Sequence, residues 1–280
     1  MNPIGITFWN WVPALGDGCL GLPEHIKAMG FTSLEVPMTS PQVSDALAGE
    51  IVASGLEVSL CASLGKGMDL SSFAPAERAA ALEYLTECLV TGEKLGAKLL
   101  CGPLYTGGGK RHRLSDEDKK REWDLAVEGL TTLARRAADR GMRLALEPLH
   151  RYRTSVVNTA AQALRLAEDT GEENVGVLFD TYHAALEERD LLLALEQTLR
   201  SGRVYHFHAC ATNRGAPGQG IMPWDRVMDL LRRYGYAGFI TMETFAPGGL
   251  DSSFVHVHGE PDELARQGLE YLLNYFHSHE

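Results

Sequence analysis

The chain has 280 residues, 45% of them hydrophobic, so it can bury a large core. Its five cysteines form no CxxC pair that would indicate a disulfide framework or a structural zinc site. A formal net charge of -11 argues against nucleic acid as a partner, because a polyanion binds to a clustered basic surface, and the dense basic run at 110–113 is interpreted as solvated. No apolar run approaches the ~20 residues that span a bilayer and no signal peptide is evident, so we expect a cytoplasmic protein without a membrane partner.

Short apolar runs rich in β-formers alternate with longer helical patterns along the whole chain. The strands are predicted near 5–9, 33–36, 58–64, 98–104, 143–149, 175–180, 204–210 and 239–245. Helical patterns include 76–94, 116–140, 160–169, 187–199 and 224–234. In the fourth of these, Leu191, Leu192, Leu195 and Leu199 recur at spacings of three and four, which indicates an amphipathic helix.

A glycine stands between a helical pattern and the next strand at six places, where a left-handed helix C-cap is expected: Gly30, Gly55, Gly96, Gly141, Gly171 and Gly235. Eight strands with intervening helices predict one (β/α)8 TIM barrel over residues 1–280. An open, doubly wound sheet is the alternative. The turn after the first strand lacks the glycine-rich phosphate cradle typical of that fold.

The loop at 106–110 follows the fourth predicted strand and contains three consecutive glycines. In a barrel this position lies over the catalytic mouth, where lids are common. The sequence therefore predicts a mobile lid, with a plain surface loop as the alternative.

Four consecutive predicted strands, the fifth to the eighth, each end in an ionisable residue: Glu147, Asp180, His208 and Glu243. The active site of such barrels lies at the carboxyl ends of the strands. Three buried carboxylates that converge with a histidine require a cation, and mixed oxygen and nitrogen ligands suit Mn²⁺, Co²⁺ or Mg²⁺. Any one acid alone could instead be satisfied by backbone amides or an arginine.

The seventh strand carries two histidines on one face, because side chains two residues apart point the same way. His208 is nearer the carboxyl end and is the predicted ligand, whereas His206 should lie one layer deeper. Glu35 of the second strand is a further, weaker candidate for the same mouth.

Three other residues are placed to contact a bound ligand. His183 follows Asp180 by three residues, and Arg214 lies in the loop after His208. Arg214 could bind substrate oxygens or steady a metal-bound carboxylate, and the two roles are compatible. Trp9 ends the first strand, where an aromatic ring could bind the apolar face of a sugar or simply pack.

At these residues the sequence resembles the ketose 3-epimerases, the D-tagatose/D-psicose 3-epimerase family of xylose-isomerase-like barrels. The resemblance spans nearly the whole chain and is strongest from 141 to 247. It is carried by Leu-Glu-Pro-Leu-His-Arg-Tyr at 146–152, Phe-Asp-Thr-Tyr-His at 179–183, and the block from His206 to Trp224 with its His-x-His, Asn-Arg, Pro-Gly-x-Gly and Pro-Trp elements.

The resemblance implies an enzyme that inverts C3 of a ketose by deprotonation and reprotonation through an enediolate. The four strand-end residues would bind a divalent metal, typically Mn²⁺ or Co²⁺, and Glu147 and Glu243 would be the acid/base pair. His183 and Arg214 would contact the oxygens around C1 to C3, and Cys61 and Trp9 would shape the pocket. Members of the family commonly form homodimers or tetramers.

One position departs from the family. Arg153 stands six residues beyond Glu147, where a substrate-binding glutamate is usual. This reversal of charge favours an anionic or differently oxidised sugar over a neutral ketohexose. A related sugar isomerase, a lyase acting on 3-oxo glycosides and a non-catalytic sugar-binding barrel therefore remain alternatives. An abasic-site endonuclease would need a basic DNA groove and further metal ligands that the sequence lacks.

Overall fold

The computed structural model describes residues 2–246 and 259–278, and within them eight parallel strands close into a barrel. Each strand pairs with its neighbours in sequence, and β1 (Ile4–Thr7) pairs with β8 (Phe239–Met242) to complete the ring. Between them lie β2 (Ser33–Met38), β3 (Glu57–Ala62), β4 (Leu99–Gly102), β5 (Arg143–Leu146), β6 (Val175–Asp180) and β7 (Val204–His208). The predicted TIM barrel is confirmed and the doubly wound sheet is excluded. The predicted limits of 1–280 extend beyond the described residues.

Helices connect successive strands around the ring. They are α1 (Leu22–Met29), α2 (Asp45–Ser54), α3 (Pro75–Leu95), α4 (Asp116–Ala138), α5 (Ala160–Asp169), α6 (Thr181–Glu187), α7 (Leu191–Arg200), α8 (Trp224–Arg233) and α9 (Pro261–His277). All six predicted cap glycines have positive φ, between 63° and 102°. No helix among residues 2–246 and 259–278 is long and apolar enough to cross a membrane.

The predicted helix at 187–199 is wrong at its start. Glu187 ends α6 and Glu188 is extended, so a new helix, α7, begins only at Leu191. The side chain of Asp190 accepts a hydrogen bond from the backbone N–H of Leu193 at 3.0 Å, which caps the new helix. At the break the two glutamates bond neighbouring segments: Glu187 bonds Arg151, and Glu188 accepts from the N–H of Ala160, the first residue of α5.

The loop after β4 is tied to the barrel instead of forming a free lid. Gly107 forms a parallel bridge with Leu64, and the N–H of Gly108 donates to the Leu64 carbonyl at 3.0 Å. Lys110, predicted to be solvated, is largely buried. Its Nζ lies 3.0 Å from Asp69 Oδ2 and 2.7 Å from Glu122 Oε1, so it joins this loop to the β3–α3 connection and to α4.

Side chains alternate between the two sides of the strands, as the twofold period of extended backbone requires. Leu34, Leu60, Leu100 and Leu144 pack in the large core between strands and helices, and a smaller cluster inside the ring includes Cys61, Leu99, Cys101, Ala145 and Leu178. A residue two positions beyond an inward side chain therefore points inward as well. This periodicity positions the site.

We predict that Lys110→Met lowers the free energy of unfolding by about 3 kcal/mol or more, because it leaves two buried carboxylates without their cation. Lys120→Met is the matched control. Lys120 pairs with Asp124 on the exposed face of α4, with side chains 76% and 57% exposed, and its loss should change stability by less than about 1 kcal/mol. Urea denaturation of the two variants measures both values, and equal losses would contradict this account of Lys110.

Candidate metal centre and active site

The four strand-end residues converge at the carboxyl end of the barrel. One ligand atom from each lies within 4.8 Å of the corresponding atoms of all the others, and all four side chains are buried: Glu147, Asp180, His208 and Glu243. Ligands on opposite sides of an ion with bonds of about 2.1 Å lie about 4.2 Å apart. The spacing therefore fits one shared divalent cation after a small contraction.

The charges of this cluster are not balanced by protein groups alone. Burial raises the pKa of Glu147 well above its usual range, and the negative charges of Glu243 and Asp180 raise it further. Burial also raises the pKa of Glu243, although Arg214 opposes the shift. For Asp180 the effect of burial is outweighed by Arg214 and His183, which hold its pKa well below the usual value. Three carboxylates share one guanidinium, so a divalent cation would stabilise the cluster.

The two ring nitrogens of His208 face different neighbours. Nδ1 lies 3.5 Å from Glu243 Oε2 and 3.6 Å from Asp180 Oδ2, whereas Nε2 faces Glu35. Nδ1 is therefore the atom that would ligate a metal. His206 lies one layer deeper, as expected for the other inward histidine, with its ring centroid 4.8 Å from that of His208.

Arg214 connects two of the carboxylates. Its Nη1 donates to Glu243 Oε2 at 2.7 Å and to Asp180 Oδ2 at 3.0 Å, and its guanidinium lies 3.9 Å from the centroid of the Tyr182 ring. Its φ of 62° is in the left-handed region, which disfavours a residue with a Cβ. The surrounding contacts hold the strained backbone in place, which is typical of functional sites.

His183 is oriented by two hydrogen bonds, one at its backbone N–H and one at its ring. Its N–H donates to Asp180 Oδ1 at 2.8 Å, because Asp180 is the N-cap of α6, and this leaves Oδ2 for the cluster. Its Nδ1 accepts from the backbone N–H of His150 at 3.2 Å. In the neutral ring the proton is then on Nε2, which lies 3.7 Å from Glu147 Oε1.

A small cavity opens above the cluster, and all five residues predicted to contact substrate line it: Trp9, Cys61, Arg153, His183 and Arg214. Ser63, Pro103, Leu149 and Phe245 complete the wall together with Glu147 and Glu243. Larger grooves lie between outer helices, such as the one between α7 and α8, but they do not contain the converging ligands. The small cavity is therefore the place where chemistry would occur.

Two of the lining side chains have defined properties. The indole of Trp9 stacks on Phe245 with centroids 5.1 Å apart, and its buried Nε1 has no hydrogen-bond partner among residues 2–246 and 259–278. The hydrogen bond to Cys101 lowers the pKa of Cys61, but burial and nearby carboxylates outweigh it and raise the pKa to about 11. The raised pKa favours the thiol form of Cys61, which lines the cavity wall.

Glu35 has a more central position than its sequence context indicates. Its side chain is fully buried inside the barrel, where its carboxylate contacts both His206 and His208. Burial alone would raise its pKa, but the two histidines hold it below the usual value. The available signal was a carboxylate in the middle of an otherwise apolar strand, which must find a partner if the strand is buried. Phe245 was missed as well; it lies on the same strand-end face as Glu243.

Residues 23–275 match the family of xylose isomerase-like TIM barrels. The L-ribulose 3-epimerase of Mesorhizobium japonicum is 30% identical over 256 residues, which cover 90% of this chain and 84% of that protein. The D-psicose 3-epimerase of Agrobacterium fabrum is 32% identical over 231 residues, covering 81% and 79%. A solved structure of an L-ribulose 3-epimerase has a TM-score of 0.90 at 26% identity and covers 99% of this chain and 95% of its own.

The chain therefore belongs to the xylose isomerase-like TIM barrels. Within them it is an enzyme of the ketose 3-epimerase group, as its relatives at 30% identity and above establish. This confirms the family expected from the sequence.

We predict that binding of Mn²⁺ releases protons and weakens as the pH falls. Burial alone would lower the pKa of His208, but Glu35, Glu243 and Asp180 raise it well above its usual value, and the pKa of Glu147 is raised as well. Both groups therefore retain protons that a cation must displace, so affinity should rise with pH through their titration. Calorimetry in two buffers of different ionisation enthalpy counts the protons. Release of none would contradict this description of the cluster.

Proposed function

We propose that this enzyme is a divalent-metal-dependent ketose 3-epimerase, with the cation held by Glu147, Asp180, His208 and Glu243. The observation that carries the proposal is the convergence of these four side chains below a cavity, in a chain whose relatives are ketose 3-epimerases. Mn²⁺ is the expected ion, with Co²⁺ and Mg²⁺ as alternatives. The homodimeric or tetrameric state and the cytoplasmic location stay predictions.

When bound, the cation supplies Lewis-acid stabilisation of the negative charge that develops on the substrate oxygens. Glu147 and Glu243 carry out the proton transfers. One carboxylate removes the proton from C3, which leaves an enediolate, and the other in its acid form returns a proton to the opposite face. The two glutamates have unequal environments: Arg214 donates a hydrogen bond to Glu243 Oε2 at 2.7 Å, whereas Glu147 Oε1 lies 3.7 Å from His183 Nε2.

Three lining residues would hold the sugar. The Nε2–H of His183 and the guanidinium of Arg214 are donors for substrate oxygens, and their nitrogens are 3.2 Å apart. A carbonyl or hydroxyl oxygen of the substrate placed between them could accept from both. The indole N–H of Trp9 is a third donor at the cavity wall.

A second candidate is the same proton chemistry on a different sugar. Arg153 lines the cavity, and it favours a substrate with a carboxylate or phosphate, or an oxidised sugar, over a neutral ketohexose. Aldose–ketose isomerisation and cleavage of 3-oxo glycosides also begin with such a deprotonation. Reaction in D₂O separates the candidates: deuterium enters at C3 with inversion in an epimerase, whereas entry at C1 or release of an aglycone indicates the alternatives.

We predict that Glu147→Gln and Glu243→Gln each reduce kcat by at least about 10²-fold at saturating Mn²⁺, because each removes a proton-transfer group. The assay follows conversion of D-psicose, L-ribulose and sugar acids with added Mn²⁺. Glu168→Gln, on the exposed face of α5, is the control and should match the wild type. Near-normal turnover by either cavity variant would rule out the two-base scheme.

Trp9→Phe should raise KM by about 2- to 12-fold with little change in kcat, because it keeps the stacked ring and removes one hydrogen-bond donor. Trp11→Phe is the matched control, since the Trp11 indole donates to Asp262 Oδ1 at 2.7 Å and does not line the cavity. If both variants shift KM equally, the Trp9 indole does not bind the sugar.

A further inference from the structure

Glu35 is connected to the proposed metal site through one histidine. It comes from β2, three strands around the ring from β7, and it is fully buried. Its Oε2 lies 2.8 Å from His206 Nε2 and 3.3 Å from His208 Nε2, and Oε1 lies 3.2 Å from the same His208 nitrogen. The mechanism proposed above makes no use of this carboxylate.

The other neighbours of Glu35 are also hydrogen-bond donors. Ser59 Oγ donates to Oε2 at 3.1 Å, and Cys101 Sγ lies 3.5 Å from the same oxygen. A carboxylate that receives hydrogen bonds from hydroxyl, thiol and two imidazoles is an acceptor only. Both histidines must therefore carry a proton on Nε2, the nitrogen that faces Glu35.

This assignment determines the chemistry at the other end of the His208 ring. A cation that binds here displaces any proton from Nδ1, so the ring keeps its proton on Nε2 and presents the Nδ1 lone pair. Nδ1 is the atom that faces the carboxylates of Glu243, Asp180 and Glu147, at 3.5, 3.6 and 4.0 Å. A lone pair directed at three carboxylate oxygens is unfavourable unless a cation lies between them.

We propose that Glu35 is the positioning residue of the metal centre: it fixes the His208 ring and its Nε2–H tautomer, so that Nδ1 is presented to the cation. This inference rests on the proposed function, because it assumes that the four side chains bind a metal. A carboxylate that accepts the second N–H of a metal-bound histidine also makes the ligating nitrogen more basic. Glu35 therefore acts through His208 and touches neither substrate nor cation.

His206 contributes to the same arrangement without being a ligand. Its Nε2 makes the shortest contact to Glu35, and its Nδ1 has no hydrogen-bond partner within the described residues. It thus holds Glu35 beneath His208. A different possibility is that Glu35, Cys101, His206 and His208 bind a second cation themselves, since their ligand atoms also lie within 4.8 Å of one another. The 2.8 Å contact between Glu35 and His206 favours a direct hydrogen bond.

The first test is metal affinity, measured by calorimetry with Mn²⁺ on the wild type, Glu35→Gln and Ser59→Ala. The wild type should bind one ion per chain. Glu35→Gln keeps the size of the side chain but replaces one acceptor oxygen by an amide donor, so its Kd for Mn²⁺ should rise by about 10- to 100-fold. Ser59→Ala removes a donor to Glu35 without touching either histidine, and its Kd should stay within about threefold of the wild type.

The outcomes separate the two proposals. If the wild type binds Mn²⁺ and Glu35→Gln binds it equally well, the role of Glu35 is wrong while the proposed function stands. If the wild type binds no divalent ion, the proposed function itself fails. Two ions per wild-type chain, falling to one in Glu35→Gln, would make Glu35 a ligand and overturn the positioning role.

The second test does not depend on whether Glu35→Gln folds. Nitrogen-15 NMR of histidine-labelled wild type, loaded with Mg²⁺ and assigned by comparison with His206→Gln, reports which ring nitrogen of His208 carries the proton. The proposal expects the proton on Nε2 and a perturbed Nδ1 resonance. A proton on Nδ1 in the loaded protein would overturn it.

Discussion

The structure depends on one electrostatic constraint, the burial of several carboxylates inside a barrel of apolar strands. Glu35, Glu147, Asp180 and Glu243 are all buried, and Arg214 bonds two of them, Asp180 and Glu243. Such groups are stable in a low-dielectric interior only if each is paired or neutralised. The histidines of β7 and a divalent cation would complete this balance of charge. Two of the buried carboxylates, Glu147 and Glu243, would then transfer the protons in the reaction.

This constraint arranges the interior in layers. The lower layer contains Glu35 with His206 and the Nε2 side of His208, and both imidazole nitrogens lie within 3.3 Å of Glu35 Oε2. The upper layer contains the Nδ1 side of His208 with Glu147, Asp180 and Glu243, whose charge exceeds that of Arg214. The lower layer would therefore hold His208 in place, and the upper layer would bind the cation. The cavity with Trp9 and Arg153 lies above both.

Much of this organisation is predictable from the sequence, because strand periodicity and strand ends are local properties. Glu147, Asp180, His208 and Glu243 each end an apolar run, and in a parallel barrel the carboxyl ends of strands meet at one face. The position of His206 below His208 follows from the same period of two. The expectation that Glu147 and Glu243 form the acid/base pair came from the resemblance to the ketose 3-epimerases, because the spacing of the residues alone does not indicate it.

Other features depend on contacts between residues that are distant in sequence. Glu35 and His206 are separated by 171 positions, so nothing near Glu35 in the chain indicates its partner. Lys110 reads as part of a solvated basic run, yet it is buried because Asp69 and Glu122 come together around it in the folded barrel. The helix predicted over 187–199 begins only at Leu191, and before it Glu187 bonds Arg151 and Glu188 accepts from the N–H of Ala160. Sequence patterns report on neighbours along the chain, whereas these contacts join residues that are distant in sequence.

Four side chains from neighbouring strands are proposed to share one ion. The most direct measurement is anomalous diffraction at the manganese edge from crystals grown with Mn²⁺. We expect a single strong peak at about 2.1–2.3 Å from four atoms: one carboxylate oxygen each of Glu147, Asp180 and Glu243, and His208 Nδ1. No peak among these atoms, or a peak bonded to His208 Nε2 instead, would contradict it.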